Sequence, residues 1–148
     1  MYDWDQPGHA GGREGDVQMG AQQNEELIRS GYEAFSKGDM ETIAGLFAPD
    51  IKWHISGRNS LSGTYSGQDE VFAFFARLVD ETGGTFAIDI HDILASDDHV
   101  VVLVRESATR GDKSAEVEEA HVWHLDGDKA TEFWGIPRDQ HHADEFWA

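Results

Sequence analysis

The sequence predicts an α+β fold, with about three N-terminal helices packed on one face of a curved antiparallel sheet around an internal pocket, and three observations predict it. Apolar residues recur at helical spacing in three stretches between Asn24 and Gly84. They alternate or cluster as strands in four stretches between Thr85 and Ile136, and these strands are joined by turns short enough to make neighbours antiparallel. At 148 residues the chain has the usual size of one domain with one core.

Residues Met1 to about Gln22 are rich in Gly, Asp and Gln with isolated Tyr2 and Trp4. Such a stretch cannot bury enough apolar surface to fold alone, so a flexible tail is expected ahead of a domain over residues 23–148. From Asn24, Leu27, Ile28, Tyr32 and Phe35 share a helical stripe that Lys37-Gly38 should end. Asp39 can cap a second helix carrying Met40, Ile43, Leu46 and Phe47, which should stop by Ala48-Pro49 because the residue before proline disfavours the α region. Ile51 to Ser56 alternates as a half-buried strand, and Gly57 to Gly67 reads as a loop. Ser66-Gly-Gln-Asp69 then opens a helix bearing Val71, Phe72, Phe74, Phe75, Leu78 and Val79, which Gly83-Gly84 ends. The strands Thr85–Ser96, Val100–Thr109, Ala115–Asp126 and Lys129–Ile136 follow as a meander, and Phe146 and Trp147 in the closing stretch could dock on the body.

The formal charge of -18, from 29 acidic against 11 basic residues, repels phosphate backbones and anionic lipid, so neither nucleic acid nor a membrane surface is an expected partner. There is no cysteine, which excludes disulfides, thiolate nucleophiles and Cys-ligated metal centres. No run approaches the roughly 20 apolar residues of a membrane span and the N-terminus lacks a signal-peptide layout, so a soluble cytoplasmic protein is expected. No spacing among the eight histidines forms a closed metal-ligand set, and in a strand His121 and His124 face opposite ways. No phosphate-binding glycine loop or Gly-x-Ser-x-Gly elbow is present either. Neither a metal nor another cofactor is therefore expected.

Placing each turn midway between its strands sets Asp92 opposite Leu103 and Leu103 opposite His121. Ile88, Ile90, Asp92 and Leu94 would then share the pocket face with Val101, Leu103, Arg105, Glu119, His121 and Trp123. With strands about 4.8 Å apart, Asp92 and His121 would lie on the order of 10 Å from each other at the backbone, both within reach of one small ligand. Ile93, Val100, Val102, Val104, Ala120 and Val122 would form the opposite face, too apolar to be left in water, which suggests a homodimer that buries it.

The Lys-Gly-Asp turn, the helix ending in Leu-Phe-Ala-Pro-Asp, the strand Trp53-His54-Ile55, Leu61-Ser-Gly-Thr-Tyr-Ser-Gly67 and the Phe-rich helix together resemble the SnoaL-like polyketide cyclase family. His91 to His99, Glu132-Phe-Trp134 and Ala143 to Trp147 look like the same family, part of the nuclear transport factor two and ketosteroid isomerase superfamily. The resemblance implies a cone-shaped α+β barrel with an enclosed pocket, commonly dimeric, in a superfamily of isomerases, cyclases, dehydratases, epoxide hydrolases and binding proteins. It also implies pocket Asp, Tyr or His acting as acid and base without metal. His121 falls where ketosteroid isomerases place a protonated aspartic acid in the oxyanion hole. The isomerase base position falls at or beside Ile55 with no Asp there, and Tyr32 sits one residue from the isomerase tyrosine, so ketosteroid isomerisation itself is disfavoured.

The residues thus suggest His121 and Asp92 as an acid–base pair, imidazole titrating near neutrality and a carboxylate orienting it. The bland alternatives are a core histidine and an Asp that accepts backbone N–H bonds at a strand bend. Arg105 and Glu119 read as a cross-strand ion pair or as pocket electrostatics. Tyr32, Trp53, Tyr65, Trp123 and Trp134 are candidate walls for a planar apolar ligand, and His54 would join them only through a bulge. The leading expectation is a cofactor-independent isomerase, cyclase or lyase acting on a small hydrophobic polyketide-, terpenoid- or steroid-like molecule. A non-catalytic binding protein or dimeric scaffold is the alternative from another class. Epoxide hydrolysis is a third, with Glu119 standing where the superfamily's Asp-Arg-Asp arrangement would need its second Asp.

Overall fold

The computed structural model describes residues 20–148. The expected tail lies outside the described residues, except that Gly20 stands at the N-cap of the first helix and Ala21 and Gln22 already belong to it. The elements are α1 (Ala21–Lys37), α2 (Met40–Leu46), β1 (Phe47–Ile55), β2 (Gly63–Ser66), α3 (Gly67–Glu81), β3 (Ala87–Ala95), β4 (His99–Arg110), β5 (Lys113–Asp126), β6 (Lys129–Pro137) and α4 (Gln140–Phe146).

Local chemistry sets the helix ends. Gly38 takes the left-handed conformation (φ 70°), which lets its N–H reach the last carbonyls of α1. Asp39 then accepts the Thr42 N–H at 3.2 Å and so caps α2. At the start of α3 the Glu70 carboxylate reaches back one turn to accept the Ser66 N–H at 3.1 Å. α2 stops at Leu46, ahead of Pro49, because the chain is already extended at Phe47 to enter β1.

The sheet has six strands in the order β2-β1-β6-β5-β4-β3. All neighbours are antiparallel except β1 and β6, which run parallel. It is an open mixed sheet with edges at β2 and β3, not a closed barrel. Two elements escape the periodicity argument: β2 lies inside the stretch expected to be loop, and α4 adds a fourth helix. Phe146 and Trp147 at the end of α4 are buried in the same hydrophobic cluster as the sheet and the N-terminal helices.

The register departs from the turn arithmetic in two places, with large consequences. Asp92 does pair with Leu103. Leu103, however, pairs with Ala120, and His121 with Val102. Gly111-Asp112 form a two-residue turn between paired Arg110 and Lys113, with Gly111 at φ 64°, so the hairpin centre falls half a residue before Asp112. Because side chains alternate, this slip turns β4 over. Val100, Val102, Val104 and Glu106 share the helix-covered face with Trp123, His121 and Glu119, while Arg105 faces outward and pairs with Glu118, not Glu119. In β3 a bulge between Ile90 and Asp92 lets Ile88 and Ile90 keep the inner face while Asp92 turns outward. Ile93, Val100, Val102 and Val104, expected at a dimer interface, are core residues, and only Ala120 and Val122 of that group face outward.

α1 is tied to the β3–β4 turn by Asn24, which is fully buried and whose Nδ2 donates to the carbonyls of Ser96 and Asp97, both at 2.9 Å. Asn24→Ala leaves both carbonyls without that donor and is expected to cost about 2 kcal/mol, read as a lower urea midpoint at unchanged slope. Among the described residues no helix is long and apolar enough to cross a membrane.

Candidate active site

A cavity opens between the helices and the inner face of the sheet, walled by Phe35, Phe47, Trp53, Phe74, Phe75, Phe86, Trp123, Phe133 and Trp147 among others. Its wall is almost wholly apolar. The exception of interest is a group of four ionisable or hydroxyl side chains: Tyr32 from α1, Glu106 from β4, and Glu119 and His121 from β5. Pairing of Val102 with His121 and of Val104 with Glu119 brings Glu106, two residues further along β4, into this group.

His121 is at the centre and is 4% exposed. Its Nε2 lies 3.2 Å from Glu106 Oε2 and 3.2 Å from Glu119 Oε1, and its Nδ1 lies 2.6 Å from the Tyr32 hydroxyl. The indole N–H of Trp123 donates to the same hydroxyl at 3.1 Å. Gly135, paired with His121 on β6, leaves room for the Glu119 carboxylate; a Cβ there would stand 3.3 Å from Glu119 Oε1.

This crowding shifts the acid–base chemistry of each group. Burial, reinforced by the negative charge of Glu119, pushes the Glu106 carboxyl up to about 7. Burial works against a charged His121 ring, yet the Tyr32 oxygen and the two carboxylates outweigh it and raise the imidazole well above its ordinary 6.5. Burial likewise raises the Tyr32 phenol, which therefore stays protonated. Near neutral pH the group comprises an imidazolium, a carboxylate, and a second carboxyl poised to gain or lose a proton.

The three acid–base atoms of Glu106, Glu119 and His121 lie within 4.8 Å of one another, a spacing that one divalent cation could bridge. The protonation of His121 decides between a cation and a proton at this place. In the imidazolium that the raised basicity of His121 favours, Nδ1 donates to the Tyr32 oxygen and Nε2 carries a hydrogen toward the carboxylates, whereas a neutral ring with its hydrogen on Nδ1 would leave Nε2 free as a ligand.

Of the residues expected at the site, Tyr32, Trp53, Glu119, His121 and Trp123 line the cavity. Asp92 does not: it is exposed on the outer face, where its Oδ1 accepts the Ile93 N–H at 2.8 Å. Arg105 is also outside, 3.8 Å from Glu118, so no Asp-Arg-acid set for epoxide opening assembles in the cavity. His54 faces outward as alternation requires, bonded to Glu132 at 2.6 Å and stacked on Trp134. Trp134 therefore also lies on the outer face. Tyr65 stands against Phe74 and donates to the Leu61 carbonyl at 2.7 Å, behind the cavity wall. Glu106 is the member that sequence reasoning missed. The signal was present in β4, whose most apolar alternate set, Val100, Val102, Val104 and Ala108, contains position 106.

Comparison with known proteins agrees with this architecture. The model of the SnoaL-like domain matches residues 28–133. The solved structure of Bal32a, from a soil-derived mobile gene cassette, is 37% identical over 86% of this chain and 98% of its own, with a TM-score of 0.84. TerC, crystallised with polyporic acid, is 26% identical over 82% of this chain and 95% of its own, with a TM-score of 0.72. An uncharacterized protein of Mycobacterium tuberculosis is 28% identical over 83% of this chain and 95% of its own. With this match running from α1 to β6, the chain belongs to the SnoaL-like family.

Proposed function

We propose that the protein is a cofactor-independent acid–base enzyme, of isomerase, cyclase or lyase type, that moves a proton on a small, largely apolar ring compound. The observation that carries this reading is one titratable cluster, Glu106, Glu119 and His121 with Tyr32, in an otherwise largely apolar cavity. The crystallisation of TerC with polyporic acid supports a ring ligand for this cavity too.

In this reading Glu106 is the proton carrier, because a carboxyl titrating at about 7 exchanges protons readily at neutral pH. Its carboxylate removes a proton from a carbon beside a ligand carbonyl and returns it at a second position. His121, cationic, donates to both glutamates and to Tyr32. With Nδ1–H and the Trp123 N–H both directed at its oxygen, Tyr32 has its own O–H left to give to the ligand's developing oxyanion. The apolar walls exclude water and strengthen each of these interactions.

A thermal-shift screen of cyclic ketones, phenols and quinones, followed by product analysis of the compounds that stabilise the fold, tests the reading. Turnover is expected, and Tyr32→Phe should lower kcat by roughly a hundredfold while changing KM little, as loss of an oxyanion donor does. Binding without any chemical change would replace the enzyme by a binding module.

A further inference from the structure

We infer that the cavity is closed in this structure and opens along the seam between residues 56–62 and α4, with the Asp144 carboxylate as the latch. The inference rests on the cavity being a ligand site, as proposed above.

The volume points to a closed state. The cavity measures about 90 Å³, whereas an apolar cavity of about 150 Å³ holds a single benzene ring. A substituted ring compound therefore needs a wall to move before it can stand beside Glu106 and His121. The strands are tied to their neighbours by backbone ladders, and α1 and α3 run 17 and 15 residues, so these walls are rigid. The remaining side is formed by Ser56, Asn59 and Leu61 from the stretch between β1 and β2, facing Gln140, Ala143 and Trp147 at α4. Residues 56–62 belong to no helix or strand. α4 has seven residues, too few to hold a helix without docking.

Side-chain bonds converging on one oxygen close this seam. Asp144 Oδ1 accepts the Arg58 N–H at 3.1 Å and the Asn59 Nδ2 at 2.8 Å from across it, while Gln140 Nε2, one turn earlier in α4, donates to the same oxygen at 3.0 Å and holds the carboxylate in place. Gly57 permits the approach: it stands at φ 96°, and a Cβ there would overlap both Gln140 and Asp144. Ser60 adds a second tie, its N–H and hydroxyl donating to the Trp147 carbonyl at 3.3 and 2.8 Å. Ser56 adds a third, donating to Gln140 Oε1 at 2.7 Å. Away from the seam, Arg110 donates to the Phe146 carbonyl at 2.9 Å and Lys113 to that of Glu145 at 3.0 Å. The seam can thus part while α4 keeps its hold on the β4–β5 hairpin.

The chain has no cysteine, so an Asn59→Cys/Asp144→Cys protein can be bridged at this seam alone by a methanediyl bismethanethiosulfonate reagent and released again by reductant. Stopped-flow tryptophan fluorescence then measures the association rate of 2-naphthol, a two-ring phenol. Unbridged, the double variant lacks the latch and should take up 2-naphthol roughly tenfold faster than the wild type; bridged, it should take it up roughly tenfold more slowly than the wild type. Amide exchange of the unliganded wild type is a second readout that needs no variant. The Arg58 and Ser60 amides, which donate across the seam, should exchange by local opening, well ahead of the amides of β5 at the middle of the sheet. Equal association rates before and after bridging, seam amides as protected as those of β5, or no uptake of 2-naphthol by the unbridged variant would overturn the inference. The enzyme reading fails separately, by absence of turnover, and both rate changes without any chemistry would leave the gated cavity standing in a binding protein.

Discussion

Replacement of His121 by alanine is expected to destabilise the protein by about 3–5 kcal/mol at pH 8, because it leaves two carboxyl groups in a buried site without the cation between them. The Tyr32 hydroxyl loses its 2.6 Å partner at the same time. The loss should shrink toward pH 5, where Glu106, already raised to about 7 by burial, is protonated and adds no charge to the site. The wild type has its own pH dependence of the same sign. Glu106 and His121 are both raised on folding, so the folded state holds protons that the unfolded chain has released. Stability from Glu106 is complete below 4.5 and is lost as pH rises through about 7, and that from His121 is complete below 6.5 and lost as pH rises further. Denaturant titrations of both proteins at pH 5 and pH 8 measure the difference directly. Equal destabilisation at the two pH values would mean that His121 is a packing residue and no counter-charge.

Glu106→Gln is expected to have the largest effect on chemistry. The amide keeps the shape of the side chain and a hydrogen-bonding oxygen for His121 but cannot carry the transferred proton, so kcat should fall by a factor of roughly 10² to 10⁴ with little change in ligand affinity. Since Glu106 must be ionised to act as base, wild-type turnover should rise through about pH 7 and reach a plateau above it. The same variant should lose the Glu106 share of the stability that declines between pH 5 and pH 8, which for a shift from 4.5 to about 7 amounts to about 3 kcal/mol, and keep the His121 share. A Glu106→Gln protein with wild-type turnover would move the proton-carrier role to Glu119.

Most of the architecture was legible because it rests on local rules. The stripes of α1, α2 and α3, the glycine at 38, the cap at Asp39 and the short turns of the meander all specify their elements without reference to distant residues. The parallel pairing of β1 with β6 was not legible, since it joins segments far apart in the chain through side chains that read equally well in an antiparallel neighbour. The acid–base site was half legible, for a related reason. His121, Glu119 and Trp123 were placed on the pocket face because they follow the register of a single strand. Their neighbours depended on where the Gly111-Asp112 turn centres, and half a residue there exchanged Glu106 for Arg105. A bulge of one residue in β3 did the same to Asp92. The inner set of β4, Val100, Val102 and Val104, reads as a core stripe once the need to cover it with helices is put ahead of turn arithmetic. Read as an outer face, the same stripe suggested a dimer interface.

The measurement that tests the central claim most directly is the incorporation of solvent deuterium into a cyclic ketone bound by the wild type at pH 7, followed by mass spectrometry beside Glu106→Gln. Incorporation at the carbons next to the carbonyl by the wild type, reduced at least a hundredfold in the variant, is the result expected if Glu106 carries the proton. A bound ketone that gains no deuterium above the rate in buffer, in either protein, would contradict acid–base catalysis and leave the cluster as a structural ion network inside a binding cavity.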